Sequence, residues 1–209
     1  MKQIKVVAFD CDGVLFDSVD ANIAYYNQIL KYFGKPLLTS ELLEYANMHT
    51  GDEVIARLFE NKESFQAAQI YRKQMGYFRF IPIMKLEPHL ISLMEWLNPK
   101  TRTAIATNRA DTIHAVLEEF SLVKYFDLVV SSADVTRPKP DPEILNKILD
   151  HFDADPRQAV YVGDSLLDEQ AAKAAGVPFI AYDNPSLSAE YHIQSLDELK
   201  NLLNGSLKR

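Results

Sequence analysis

Short apolar runs rich in β-branched residues recur along this chain, and several of them stop abruptly at residues able to do chemistry. Residues 4–9, Ile-Lys-Val-Val-Ala-Phe, end at Asp10. Similar runs occupy Thr103–Ala106, Leu128–Ser131, Ala159–Val162 and Pro178–Tyr182. Runs this short and this continuously apolar read as strands buried on both faces. Helical patterns separate them, roughly Pro88–Leu97, Asp111–Phe120, Pro142–Phe152 and Glu169–Ala175. A last helix near Leu196–Leu203 follows Ser195, with Glu198 placed for a capping box. Strand–helix alternation at this spacing predicts an α/β fold with a parallel sheet between helices. Ligands of such sheets bind outside the carboxyl ends of the strands.

One stretch breaks the alternation. From about Val19 to about Ile81 the signals are helical. Val19, Ile23, Tyr26, Leu30 and Phe33 keep helical spacing until Gly34 and Pro36, and Val54, Ile55, Leu58 and Phe59 follow Gly51. Tyr71 to Phe80 reads as the end of a further helix. The pattern predicts an all-helical insert over 18–81 in a core made of 1–17 and 82–209.

Composition narrows the function. The chain has 209 residues, 47% hydrophobic, with a formal net charge of -7 and no Lys/Arg cluster. That excludes the basic stripe a nucleic-acid surface needs. No apolar run nears the roughly 20 residues that span a bilayer, and the N-terminus turns polar too soon for a signal peptide. A single cysteine, Cys11, suits a reducing compartment. The expectation is a cytoplasmic protein, monomeric by default, with neither nucleic acid nor membrane as partner.

Four segments after core strands carry candidate chemistry. Asp10-Cys11-Asp12-Gly13 places two carboxylates where a strand becomes a loop, and buried like charges need a cation to neutralise them. Thr107-Asn108 offers a hydroxyl and an amide to a phosphate oxygen. Lys139, held between Pro138 and Pro140, can be aimed by a restrained backbone, with Asp141 and Pro142 opening the next helix. Gly163-Asp164-Ser165-Leu166-Leu167-Asp168 puts Asp164 and Asp168 four apart, one face of a helix if the segment coils at once. Each segment alone also reads as a turn, a cap or a solvated charge. Together at one sheet edge they make the set that phosphoryl transfer requires.

These motifs, DCDGVLFDS, Thr107, RPKPDPE and GDSLLDEQAAKAAG in this order, resemble the haloacid dehalogenase-like (HAD) hydrolase superfamily through about Tyr182, in its branch of phosphatases with a helical cap. The resemblance implies a Rossmann-like core and a cap that closes over a small phosphorylated metabolite. It implies Asp10 as a nucleophile forming an aspartyl-phosphate and Asp12 as general acid and then base. It further implies Thr107, Asn108 and Lys139 on the phosphate, Mg²⁺ on Asp10, the Asp12 carbonyl and Asp164, and Asp168 behind them or near Lys139. His89 departs from a Pro-Gly pair common at the end of the insert, which implies a stiffer hinge, and Glu169 replaces a branched apolar residue. A phosphomutase of the same fold would use the same core residues, differing only in cap contacts. A non-catalytic binding module would be expected to lose one of Asp10, Asp12, Lys139 or Asp164. His49 is kept as a substrate contact in the insert, whereas Arg57 and Arg72 read as solvated helix faces.

Overall fold

The computed structural model describes residues 3–98 and 100–207, without the side chains of 205–207. In chain order the strands are β1 (Val6–Phe9), β2 (Phe16–Asp17), β3 (Lys85–Leu86), β4 (Arg102–Thr107), β5 (Leu128–Ser131), β6 (Ala159–Gly163), β7 (Phe179–Tyr182) and β8 (Tyr191–Ile193). The helices are α1 (Val19–Tyr32), α2 (Ser40–Met48), α3 (Gly51–Leu58), α4 (Lys62–Met75), α5 (Leu90–Leu97), α6 (Ile113–Glu119), α7 (Glu143–His151), α8 (Leu166–Ala175) and α9 (Leu196–Leu207), joined by short 3₁₀ turns.

Six strands form one sheet in the order β5-β4-β1-β6-β7-β8, and all its pairings are parallel. In β1, Val7 and Phe9 face a cluster that includes α5, α6 and α9, while Val6 and Ala8 face α7 and α8. Both faces are therefore covered, which is why β1 and β4 to β7 read as apolar runs, whereas the edge strand β8 does not. The order places β1 between β4 and β6, so the segments that follow these three strands emerge side by side.

The helical block α1–α4 and a 3₁₀ turn over Phe78–Ile83 lie between β2 and β3. These two-residue strands pair antiparallel, Phe16 with Leu86 and Asp17 with Lys85. They are too short to show a period, so the alternation pattern does not find them, and the boundary expected at 81/82 falls within the 3₁₀ turn. Helix α2 is equally faint in the sequence because only Ala46 on it is buried. Strand β8 is an edge whose Tyr191 and His192 are exposed. At the last helix, Glu198 accepts from the main chain of Gln194, not of Ser195 as a capping box requires. Among the described residues, no helix is long and apolar enough to cross a membrane.

His89 caps α5 with φ 66°. A side chain in this left-handed region carries strain that glycine does not. His89→Gly is expected to raise stability by about 0.5–1 kcal/mol, readable as a higher denaturant midpoint at unchanged slope.

Candidate active site

Asp10 continues β1, its N–H donating to the Val162 carbonyl at 2.9 Å. Gly13 follows at φ 79°, and a Cβ there would lie 2.1 Å from Asp164 Oδ2. Only glycine lets this loop approach the loop after β6 so closely. Thr107 closes β4 and is buried, its Oγ1 accepting from the Arg109 N–H at 3.1 Å.

Lys139 is the electrostatic centre. It is 3% exposed. Its Nζ lies 2.8 Å from Asp10 Oδ1, 2.7 Å from Asp168 Oδ1 and 3.1 Å from the Tyr161 hydroxyl. Its main chain is clamped by Asn108, whose Oδ1 accepts from Lys139 N at 2.9 Å. Both Asn108 amide hydrogens are used as well, on the carbonyls of Lys139 and Met48. The side-chain amide expected to hold phosphate is thus occupied in aiming Lys139 and in joining it to the helical insert.

The loop after β6 also differs from expectation. Ser165 is extended and caps α8, so Asp164 precedes the helix and does not share a helical face with Asp168. Asp168 is instead the capping-box residue. Its Oδ2 accepts from Ser165 N and Oγ at 3.0 and 2.5 Å, and its Oδ1 from Lys139 and Tyr161. Both oxygens are saturated, which makes Asp168 a partner of Lys139 ahead of a metal ligand. Glu169, out of pattern in the sequence, accepts from Ser188 N at 2.8 Å and ties α8 to the following loop.

Carboxylate oxygens of Asp10, Asp164 and Asp168 all lie within 4.8 Å of one another. One ammonium against three carboxyls leaves an excess of negative charge. Burial, with the neighbouring acids, outweighs Lys139 and pushes the Asp10 carboxyl up to about 7. Burial and then the Asp168 and Asp10 charges push Asp164 well above the carboxylate range. Asp168 is buried too, but Lys139 and its hydrogen bonds hold it low. Asp10 Oδ1 is buried and has no aligned hydrogen bond despite its contact with Lys139. A hard divalent cation between Asp10 and Asp164 fits this donor set, relieving both the charge and the unsatisfied oxygen.

Asp12 has a partner that the sequence did not reveal. Arg109 Nη2 and Nε donate to its two carboxylate oxygens at 2.6 and 3.0 Å. Burial favours the neutral acid, but Arg109 and the Ser18 hydroxyl outweigh it and keep Asp12 below the usual range. The guanidinium also lies 4.7 Å from the ring centre of Tyr77, whose hydroxyl donates to Asn22 in the insert. Arg109 adjoins Thr107-Asn108 in the chain, yet nothing in its spacing identifies Asp12 as its partner. Cys11, between the two acids, is fully buried, and burial followed by the Asp12 charge pushes its thiol up. It stays protonated.

A cavity of about 470 Å³ opens above these groups. Asp10, Asp12, Thr107 and Arg109 form its floor, and Tyr25, His49, Gly51 and Arg72 of the insert face them. His49 stacks on Tyr45 with ring centres 3.7 Å apart, which fixes it in this wall. Arg57 remains a solvated residue 3.8 Å from Glu41. Arg72 does not: its side chain is only 18% exposed and belongs to the cavity, against the sequence expectation.

The sequence pattern of haloacid dehalogenase-like hydrolases matches residues 7–182. A crystal structure of a HAD-superfamily hydrolase, subfamily IA, variant 1, from Geobacter sulfurreducens is 38% identical, covers 96% of each chain and superposes with a TM-score of 0.79. A phosphoglycolate phosphatase of Nitrosospira multiformis is 30% identical over 83% of this chain and 80% of its own length. A phosphorylated carbohydrates phosphatase of Thermotoga maritima is 28% identical over 83% and 82%.

Proposed function

This chain belongs to the haloacid dehalogenase-like hydrolase family, and from that premise we propose that it is a Mg²⁺-dependent phosphatase of a small phosphorylated metabolite, acting through Asp10. The observation that carries the reading is the floor of the cavity. A buried carboxylate there touches a buried lysine, beside a second acid that can share a cation and a threonine hydroxyl that can donate to phosphate. Relatives across most of the chain are named as phosphatases, which favours transfer to water over return to a sugar.

Asp10 and Asp164, with the Asp12 carbonyl, would hold Mg²⁺, which when bound offsets the negative charge of the carboxylates and of a phosphoryl group beside them. Lys139 and the Thr107 hydroxyl bind the phosphoryl oxygens. An Asp10 oxygen attacks phosphorus, the bond from phosphorus to the alcohol oxygen breaks, and Asp12 gives that oxygen a proton. Asp12, now a carboxylate, takes a proton from water as the water oxygen attacks phosphorus. The bond to Asp10 breaks, inorganic phosphate leaves and Asp10 is regenerated. For the first of these transfers the Asp12–Arg109 pair must open, because a bidentate guanidinium keeps the proton away. The helical insert serves as the cap that excludes water and meets the leaving group. The buried free thiol and the acidic net charge suit a cytoplasmic enzyme, and an insert that can cover the site within one chain suits a monomer.

The test is phosphate release from phosphoglycolate, sugar phosphates, nucleotides and an aryl phosphate, with Mg²⁺ and with chelator. Turnover is expected with Mg²⁺, and a loss of at least about a thousandfold in chelator, reversed by re-adding the metal. Turnover unaffected by chelator would refute the metal assignment, and silence on every ester would refute the phosphatase.

A further inference from the structure

Arg72 sits on the last turn of α4 and reaches across to the first turn of α3. It crosses directly over Gly51, where a Cβ would lie 2.0 Å from its Nη1. The absence of a side chain at 51 is what admits the guanidinium to the cavity wall. Its acid partner is Asp52, with Nη2 2.5 Å from Oδ1, an oxygen that Gln69 Nε2 also contacts at 3.0 Å. The two partners are unequal in burial: Asp52 is 71% exposed against 18% for Arg72. A carboxylate so open to water is a weak and exchangeable counter-ion. Arg72 Nη1 meets no acceptor among the described residues, so part of the planar fork remains to be used.

A phosphate held at Asp10 must direct its leaving oxygen away from that carboxylate, into the cavity whose opposite wall carries Arg72. We infer that Arg72 is a specificity-determining residue that binds a second anionic group on the alcohol part of the substrate, displacing Asp52. The substrate class is then a short phosphate monoester bearing a carboxylate or a second phosphate. This rests on the phosphatase reading above. Asp52 holds the arginine in place until such an anion arrives, and a neutral alcohol gains nothing by displacing it.

The experiment compares kcat/KM for phosphoglycolate, a hexose bisphosphate and glycerol phosphate in the wild type and in variants. Wild type is expected to prefer one of the two doubly anionic esters, and whichever leads tells carboxylate from phosphate. R72A should lower the ratio of that ester to glycerol phosphate about tenfold to a hundredfold, mainly through KM, and R72K should recover part of it. Gly51→Ala keeps the charge but fills the space under the guanidinium, so it should lower the ratio in the same direction. D52A removes the competitor and should raise the ratio roughly twofold to fivefold. An equal loss on all three esters in R72A, or a wild type that prefers glycerol phosphate, overturns the inference. If no ester is turned over, the phosphatase reading is what has failed. Calorimetric affinities of the same esters for wild type and R72A then decide on Arg72, and equal affinities refute its role.

Discussion

Asp10→Asn is expected to abolish phosphate release, by about a thousandfold or more, while making the metal-free protein more stable. The first effect follows if Asp10 is the nucleophile, because an amide cannot form the acyl-phosphate bond. The second follows from where the carboxylate lies. Burial raises the folded-state value of Asp10 to about 7, from 3.8 when free. The folded protein therefore holds a proton that the unfolded chain has released, and stability falls as pH rises from about 4 to 7. An amide in its place does not titrate. In chelator at pH 8 the variant should melt roughly 2–4 °C higher for about 1 kcal/mol gained, and the gap should narrow as pH falls and close toward pH 4. Added Mg²⁺ should favour the wild type, because ligand that binds only the folded state stabilises it. A melting temperature for the variant at or below wild type in chelator at pH 8 would show that Asp10 carries no such cost.

Lys139→Met should be the most damaging single change for stability. It removes the one ammonium that touches both Asp10 and Asp168, in a place where all three side chains are buried. Breaking a buried pair from one side leaves an uncompensated charge, at about 3–5 kcal/mol. The deficit has a definite pH dependence. Asp168 keeps a depressed value only through Lys139 and its hydrogen bonds. Without the lysine both acids bind protons more tightly when folded, so the loss should be largest at pH 8 and shrink toward pH 5. Denaturant unfolding across that range reads it directly. Activity should fall by at least about a thousandfold as well, since Asp10 would then be held as the neutral acid. A loss that is flat with pH would mean that Lys139 matters mainly for packing.

The two variants also separate what is local in the chain from what is not. Five of the six sheet strands, β1 and β4 to β7, were legible as apolar runs, and the exposed edge strand β8 was not. Asp10, Thr107, Lys139 and Asp164 were legible because each adjoins such a run or is held between prolines. Period and punctuation are properties of neighbours along the backbone, and the sequence carries them unaided. Helix α2 and the β2–β3 ribbon were not legible, for they bury too little or are too short to impose a period. The partnerships were hidden for a different reason. Asp12 meets Arg109 across 97 residues, Asn108 meets Lys139 across 31, and Arg72 meets Asp52 across 20. None of these spacings has a signature, because the sheet order and the packing of the insert decide them. From the sequence alone come the strand-ending acids, the lysine and the class of chemistry. Folding in three dimensions decides which acid is clamped by an arginine, which one holds the lysine, and that Arg72 faces the cavity and not the solvent.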